Sequence, residues 1–479
     1  MHLIAHKIQL SLKKGQVEYF SKAFGCSRLA YNFCVGAFRD SYNAYLEAKK
    51  EAEESGGTIP KERKKELLPD AFELKKRFNA LKKEKYPFVY ELSKYVVQQP
   101  FINAQRGMKA FLKGRNEGKK VGYPKFKRKH GGQDSFYIGG DHLRFAEFNP
   151  ELSPEQMPTN PSKRQYIHLP KLGWVKMMEH LRFNGNVQGA VFSRSGSKYF
   201  VSIQVMIDDA ELIRTHRWLE KAIGDEAAAI DGGLKKKATL SNGVQIENIK
   251  ALRKLLQALR CEQRKLERRV HPKTKEDRES GVRASKNYIK QAQKVANLHR
   301  KIKAIRNDNC HKITTALASC HRYVVVETLN LKGMLKNHCL AMSLSDAALG
   351  EMYRQLDYKL VFRGGEMIKA PRWYPSTKRC SCCGAVKTKE QIPLSERTYR
   401  CERCGLVLDR DLNASLNLLR WAQDVGGIGQ AHQSLNSRLL ECLDTNSIAY
   451  NIVAGGETSL SFSDDKETVG EIQSCGTCK

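Results

Sequence analysis

The 479-residue chain has no apolar run approaching the ~18 residues that a membrane-spanning helix needs. No apolar segment follows Met1 either, so no secretory leader is expected, and the cytoplasm is the expected location. Acids are scarce: 51 Asp+Glu stand against 83 Lys+Arg, a net charge of +32. A compact chain with that excess repels itself unless a polyanion offsets it, so the expected partner is nucleic acid and not a membrane surface. Internal repeats are missing, and so are a G-x-S-x-G elbow, a histidine in a triad setting and an evident helix-turn-helix signal. "GGIGQAH" from Gly426 lacks the third glycine and the preceding strand of a dinucleotide loop. A disulfide framework is absent too. Of fourteen cysteines, Cys26, Cys34, Cys261, Cys310, Cys320 and Cys339 are scattered singly, as small hydrophobes in a reducing compartment would be.

What is present has an order. Residues 2–12 alternate apolar and polar, which predicts a strand. From Gln16 to Lys113 apolar residues recur at helical spacing among many lysines, broken near Gly56–Pro60 and at Pro87. "KGRNEGKKVGYPKFKRKHGG" (Lys113–Gly132) has eight bases, one acid and two aromatics. A charge run is often only a solvated face, but interleaved Tyr123 and Phe126 suit a phosphate-tracking, base-stacking surface with Lys119, Lys120, Lys125, Lys127 and Arg128. Residues 134–215 read as short strands of a small barrel or sandwich. "AAAID" and "RYVVVE" are strands ending in Asp231 and Glu327. Long basic helices are expected near 250–270 and 285–319, and an amphipathic helix capped by Ser343 or Ser345. The last segment, 426–479, is acidic and reads as a loose tail ending in the pair Cys475 and Cys478.

Two clusters carry chemistry. Cys380, Cys383, Cys401 and Cys404 form C-x2-C-x17-C-x2-C, with Gly384 and Gly405 placed for tight turns. Four thiolates fill a tetrahedral zinc site and leave no position for substrate, so one Zn²⁺ there is structural and Cys382 is a spectator. The other cluster is acidic: Asp231 and Glu327 at strand ends, Asp409 and Asp411 opening a helix. Each alone is more readily a turn or cap residue. Converging, such carboxylates suit a two-Mg²⁺ phosphodiester hydrolase. In "DRDLNASLNLL" the spacing of Leu412, Leu416 and Leu419 predicts a sheet-facing stripe beside Asp411, with Asp409 as the N-cap.

The blocks "IDGGLKKKATLSNG", "VVVETLNLKGM", "SLSDAALGEMYRQLDYKLVFRGG", "YPSTKRCSCCG" and "DRDLNASLNLL" resemble the RuvC-like nuclease blocks and zinc ribbon of TnpB proteins, relatives of compact type V CRISPR effectors. "FGCSRLAYNF", "KKVGYPKFKRK" and "LPKLGWVK" resemble that family's wedge and recognition regions, so the likeness spans residues 1–425. It implies an α/β multidomain protein: a β-barrel wedge (1–15 and 115–215), a helical recognition lobe (16–114), and an RNase H-like RuvC domain (216–425) with a zinc ribbon near 376–406. It implies a DNA endonuclease directed by a guide RNA, acting on double-stranded target DNA beside a short motif, with a homodimer left open. By resemblance, Asp231, Glu327 and Asp411 hold two Mg²⁺ ions, and Lys94, Tyr95 and Gln98 read the adjacent motif, where Gln can pair with adenine and Lys with guanine. Gly232 departs from the family's usual apolar residue, and Thr328 from a common acid. Rival readings are a nuclease-inactive RNA-guided repressor and a strand-joining transposase.

Overall fold

The structure is a computed structural model that describes residues 1–129, 134–146, 166–220, 227–388, 390–393, 395–426, 437–453 and 459–460. It divides into two units, Met1–Thr215 and His216–Lys479.

In the first unit, alternation along His2–Ser11 buries His6, Ile8 and Leu10 and turns the residues between them outward. This strand is the middle of a seven-stranded sheet, in order Ser135–Gly139, Asn186–Ser195, Lys198–Ile207, His2–Ser11, Gly173–Met177, Tyr166–Leu169 and Arg144–Ala146. Every pair is antiparallel. Among the described residues no pairing joins the outer strands, so in place of the expected barrel there is an open sheet. One outer strand is three residues long, too short for a closing ladder. The helical stretch is as the spacing predicts, with Lys14–Glu54, Lys61–Leu67, Ala71–Lys85 and Lys94–Asn116 broken around Gly56 and Pro87. Phe20 joins the first helix to the sheet, its ring 5.2 Å from Phe136 and 5.8 Å from Phe192.

In the second unit a mixed sheet runs Glu366–Ala370, Tyr323–Glu327, Ala227–Asp231, Lys236–Leu240, Val244–Glu247, Tyr450–Val453, Ser459–Leu460. The first three strands are parallel and the rest antiparallel. Helices cover both faces, which is why "YVVVE" is an unbroken apolar run. Val324 and Val326 join Ile230 under the helices Lys286–Cys320 and Leu349–Phe362. Val325, Ala227 and Ala229 face Leu418, Leu419 and Ala422 of the helix Arg410–Gly426.

Two expectations are corrected here. The single helix starting at Ser343 or Ser345 is a pair, His338–Ala347 and Leu349–Phe362, hinged at Ala348 in the left-handed region (φ 51°). Asn337 caps the first, accepting from the Cys339 N–H, whereas Ser345 lies inside it and accepts from Arg306. The acidic tail is not loose throughout. Leu439, Leu443 and Ile448 are buried in the core, on or just beyond the helix Ser437–Thr445, and Tyr450–Val453 adds a strand to the sheet. Average composition hid an amphipathic helix among acids. Cys475 and Cys478 lie outside the described residues.

Candidate catalytic and metal sites

The Ala227–Asp231 and Tyr323–Glu327 strands pair in parallel from Ala227 opposite Tyr323 to Ile230 opposite Val326. One residue beyond that last pair both strands present an acid, Asp231 and Glu327. Carboxyl ends of adjacent parallel strands are where α/β sheets place ligands. Asp411 comes from the first turn of the third element, the helix packed on this sheet. Burial first, then the charges of Glu327 and Asp411, push the Asp231 carboxyl well above its usual range, with Arg410 opposing. Asp411 is likewise raised by burial and Asp409, against Arg397, Arg410 and Lys235. Packing acids this way is unfavourable without cations, and hard carboxylate oxygens at such a spot fit divalent magnesium.

Sequence reading missed the residues that steady these acids. Ser376 donates to the Glu327 carboxylate at 2.6 Å. Ala370 lies opposite Glu327 in the sheet, so the segment from Ala370 to Ser376 starts and ends at that acid. Trp373, on that excursion, is exposed and carries the Arg372 guanidinium 4.8 Å over its ring. Asp409 is the cap foreseen, its Oδ1 accepting from the N–H groups of Asp411 and Leu412, both at 3.0 Å. The stripe on the sheet differs from expectation. It is Leu418, Leu419 and Ala422, while Leu416 is only partly buried, because the face one position over holds polar anchors instead.

Those anchors are Asn413 and Asn417. Asn413 donates to the Arg379 carbonyl and accepts from the Ser381 N–H, and Asn417 donates to the carbonyls of Ser376 and Arg379. Both are fully buried. Two asparagines at i, i+4 between leucines were a legible signal for a polar attachment. They fasten the helix to the four-cysteine cluster, whose Sγ atoms lie within 4.8 Å of one another. The Cys380–Cys404 and Cys383–Cys401 separations are both 3.6 Å, close to the ~3.8 Å edge of a tetrahedron with metal–sulfur bonds of about 2.3 Å. Gly384 and Gly405 each have φ of 74°, closing two matching turns in which their N–H groups donate to the Cys380 and Cys401 carbonyls. Against the rise that burial imposes, backbone N–H groups of Cys404 and Arg403 and neighbouring thiols bring the Cys401 thiol down to about 7. Burial pushes the Cys380 thiol up to about 12 and raises Cys404, so it is the spacing of the four sulfurs that fits zinc, whose charge would draw off their protons.

The expected nucleic-acid residues are placed unevenly. Lys125, Phe126, Lys127 and Arg128, with Arg28 and Arg39, line a cleft of about 730 Å³ in the first unit. Asn32 fixes this loop by accepting from the Lys127 N–H and donating to its carbonyl. Tyr123 borders the cleft but packs edge-on against Phe111 and beside Tyr42, so it is not open for stacking. Lys119 pairs with Glu117, and Lys120 is exposed. Lys94 is exposed at the start of the helix Lys94–Asn116, and Gln98 is half-buried one turn on. Tyr95 donates to Asp141 at 2.7 Å, while Val96 and Val97 face inward.

Three family models match this chain: "Probable transposase" over residues 202–338, "Cas12f1-like, TNB domain" over 350–418, and "Helix-turn-helix domain" over 1–58. The last description is not matched by a helix-turn-helix here: its residues form the strand His2–Ser11 and one uninterrupted helix, Lys14–Glu54. The Escherichia coli (strain K12) protein named "Putative RNA-guided DNA endonuclease InsQ" is 30% identical over 354 residues, 71% of this chain and 77% of that one. "Putative RNA-guided DNA endonuclease Rv2885c" of Mycobacterium tuberculosis (strain ATCC 25618 / H37Rv) is 27% identical over 459 residues, 89% of each. A solved Cas12f1–sgRNA–target DNA complex aligns over 87% of this chain and 99% of that one, at 14% identity and a TM-score of 0.28.

Proposed function

The chain belongs to the TnpB-like family of RNA-guided DNA endonucleases, and from that premise we propose that it cuts guide-complementary DNA beside a short adjacent motif. The carrying observation is the acid pair one step past the Ile230–Val326 pairing, with Asp411 near enough to oppose the ionisation of Asp231. Parallel strands followed by antiparallel ones, with a helix bearing the third acid, support an RNase H-like, RuvC-type assignment for the second unit.

Asp231, Glu327 and Asp411 would hold two Mg²⁺ ions, which when bound supply Lewis acidity at the scissile phosphate. The chain's own contribution is placement. Ser376 fixes one oxygen of Glu327, leaving the other to bind, and the Asp409 cap sets where Asp411 leaves the helix. The ribbon would hold one Zn²⁺ and do no chemistry, since its four thiolates complete a tetrahedron. Guide RNA and target duplex supply the polyanion that a charge of +32 calls for, tracked by the basic cleft around Lys125 to Arg128, with Lys94 and Gln98 toward the adjacent motif.

The description "Probable transposase" favours a second reading, strand transfer. One experiment separates them. Protein purified with its copurifying RNA is given a plasmid matching that RNA, in Mg²⁺ or in EDTA. Guide-matched breaks that need Mg²⁺ and leave no joined products are expected. Joined products would favour transposition, and binding without breaks would favour a nuclease-inactive repressor.

A further inference from the structure

Gly232 directly follows Asp231, and a Cβ built on it would lie 2.2 Å from the Tyr353 hydroxyl oxygen but 3.4 Å from the ring carbon bearing it. The hydroxyl thus occupies the space that a side chain at 232 would need. Tyr353 arrives from the opposite direction, on the helix Leu349–Phe362, with its ring in the core that holds Ile230, Val324 and Val326. Phenylalanine would fill that core as well. The oxygen, however, is buried with no hydrogen-bond partner among the described residues. A phenol is neutral near pH 7, so toward the carboxylates of Asp231 and Glu327 it can serve only as a donor.

The acceptor side is equally lopsided. Glu327 has the Ser376 hydroxyl, whereas among the described residues no side-chain donor serves Asp231. A buried donor without an acceptor therefore sits against the residue next to a partly buried carboxylate without a side-chain donor. Orphaned buried polar groups destabilise a fold, and those retained cluster at functional sites.

We propose that Tyr353 is a positioning residue of the nuclease centre, whose hydroxyl donates to Asp231 when that carboxylate takes up its metal-binding orientation, and that Gly232 is glycine to admit it. This rests on the reading of Asp231 as a metal ligand. Outer partners of ligating groups orient them, and losing one weakens metal affinity by about 10–100-fold.

The test measures Mn²⁺ binding to the RNA-free full chain, from the free-ion electron paramagnetic resonance signal, beside thermal unfolding without metal. Asp231→Asn identifies the share of binding that belongs to this centre. Tyr353→Phe removes only the hydroxyl. It is expected to weaken that share about tenfold while the unfolding temperature stays level or rises, because an unsatisfied group has gone. A purely structural tyrosine would raise stability and leave Mn²⁺ binding alone, and that result overturns the proposal. If Asp231→Asn itself leaves Mn²⁺ binding unchanged, the metal-centre reading falls and this proposal with it. Gly232→Ala is expected to lower the unfolding temperature, and Gly232→Ala with Tyr353→Phe to restore it without restoring Mn²⁺ affinity. A Gly232→Ala chain with wild-type stability and affinity would contradict the interlock.

Discussion

Asp409 and Asp411 are two residues apart, and the structure gives them different work. The first has its Oδ1 engaged by two helix N–H groups and by Gln245 Nε2 at 3.3 Å. The second is partly buried, its charge acting on Asp231, with Arg397 3.7 Å from its carboxylate. Asp411→Asn should therefore retain RNA and target binding but stop cutting, since a neutral amide is a poor ligand for a hard cation. Asp409→Asn should still cut, because asparagine caps about as well as aspartate, and Asp409→Ala should cost about 1 kcal/mol of stability. Cleavage at equal RNA loading, with thermal melts, decides it, and an active Asp411→Asn protein would refute the assignment. Candidates at this scale were legible where a residue's own strand or helix announces it: an acid ending "VVVE", an acid opening an apolar helix. Ser376 and Tyr353 were not. Their relevance comes from partners 49 residues away for Ser376 and, for Tyr353, from the missing side chain of Gly232.

At the scale of elements, the four-cysteine ribbon and the Asp411 helix share one set of bonds through Asn413 and Asn417. Arg420 adds contacts to the carbonyls of Ser381 and Cys382. Elemental analysis should find one zinc per chain in the native protein and none in Cys401→Ser. That substitution should also speed amide exchange through Arg410–Gly426, because the Arg379 carbonyl that receives both asparagines directly precedes the first metal-binding cysteine, Cys380. Structural zinc contributes roughly 10 kcal/mol or more in isolated fingers and less in a supported insert. Exchange confined to the ribbon, with the helix protected as in the native chain, would show the two to be independent. Cysteine spacing made the ribbon legible, down to the glycine after each pair. Helix ends were less so. The turn at Ala348 depends on a left-handed alanine that no local pattern announces, held by helices that pack on either side of it.

For the whole molecule the governing quantity is the charge of +32. If lysines and arginines of the basic loop neutralise phosphates, log K for duplex binding should fall with log salt at about −0.9 per phosphate contacted. A titration between low and physiological salt measures the slope, and a flat response would remove the basic cleft from the reading. Charge balance was legible from composition alone, as were most strands of both units. The order of those strands was not. Insertion of His2–Ser11 between Lys198–Ile207 and Gly173–Met177, both far away in the chain, is fixed by tertiary pairing, as is the return of Tyr450–Val453 to the sheet beside Val244–Glu247.

That the Asp411 helix is seated on the ribbon has a consequence for the timing of synthesis. A ribosome delivers the chain from Met1 onward, at about 5–20 residues per second, and domains fold largely as they emerge. The unit carrying the basic cleft is complete first. Asp231 and Glu327 follow, and Asp411 emerges only after the four cysteines, on a helix whose Asn413 and Asn417 dock on the Arg379 carbonyl just before Cys380. On the proposed function, the chain would therefore be able to hold nucleic acid before it could cut, since its third acid arrives only with the ribbon that seats it.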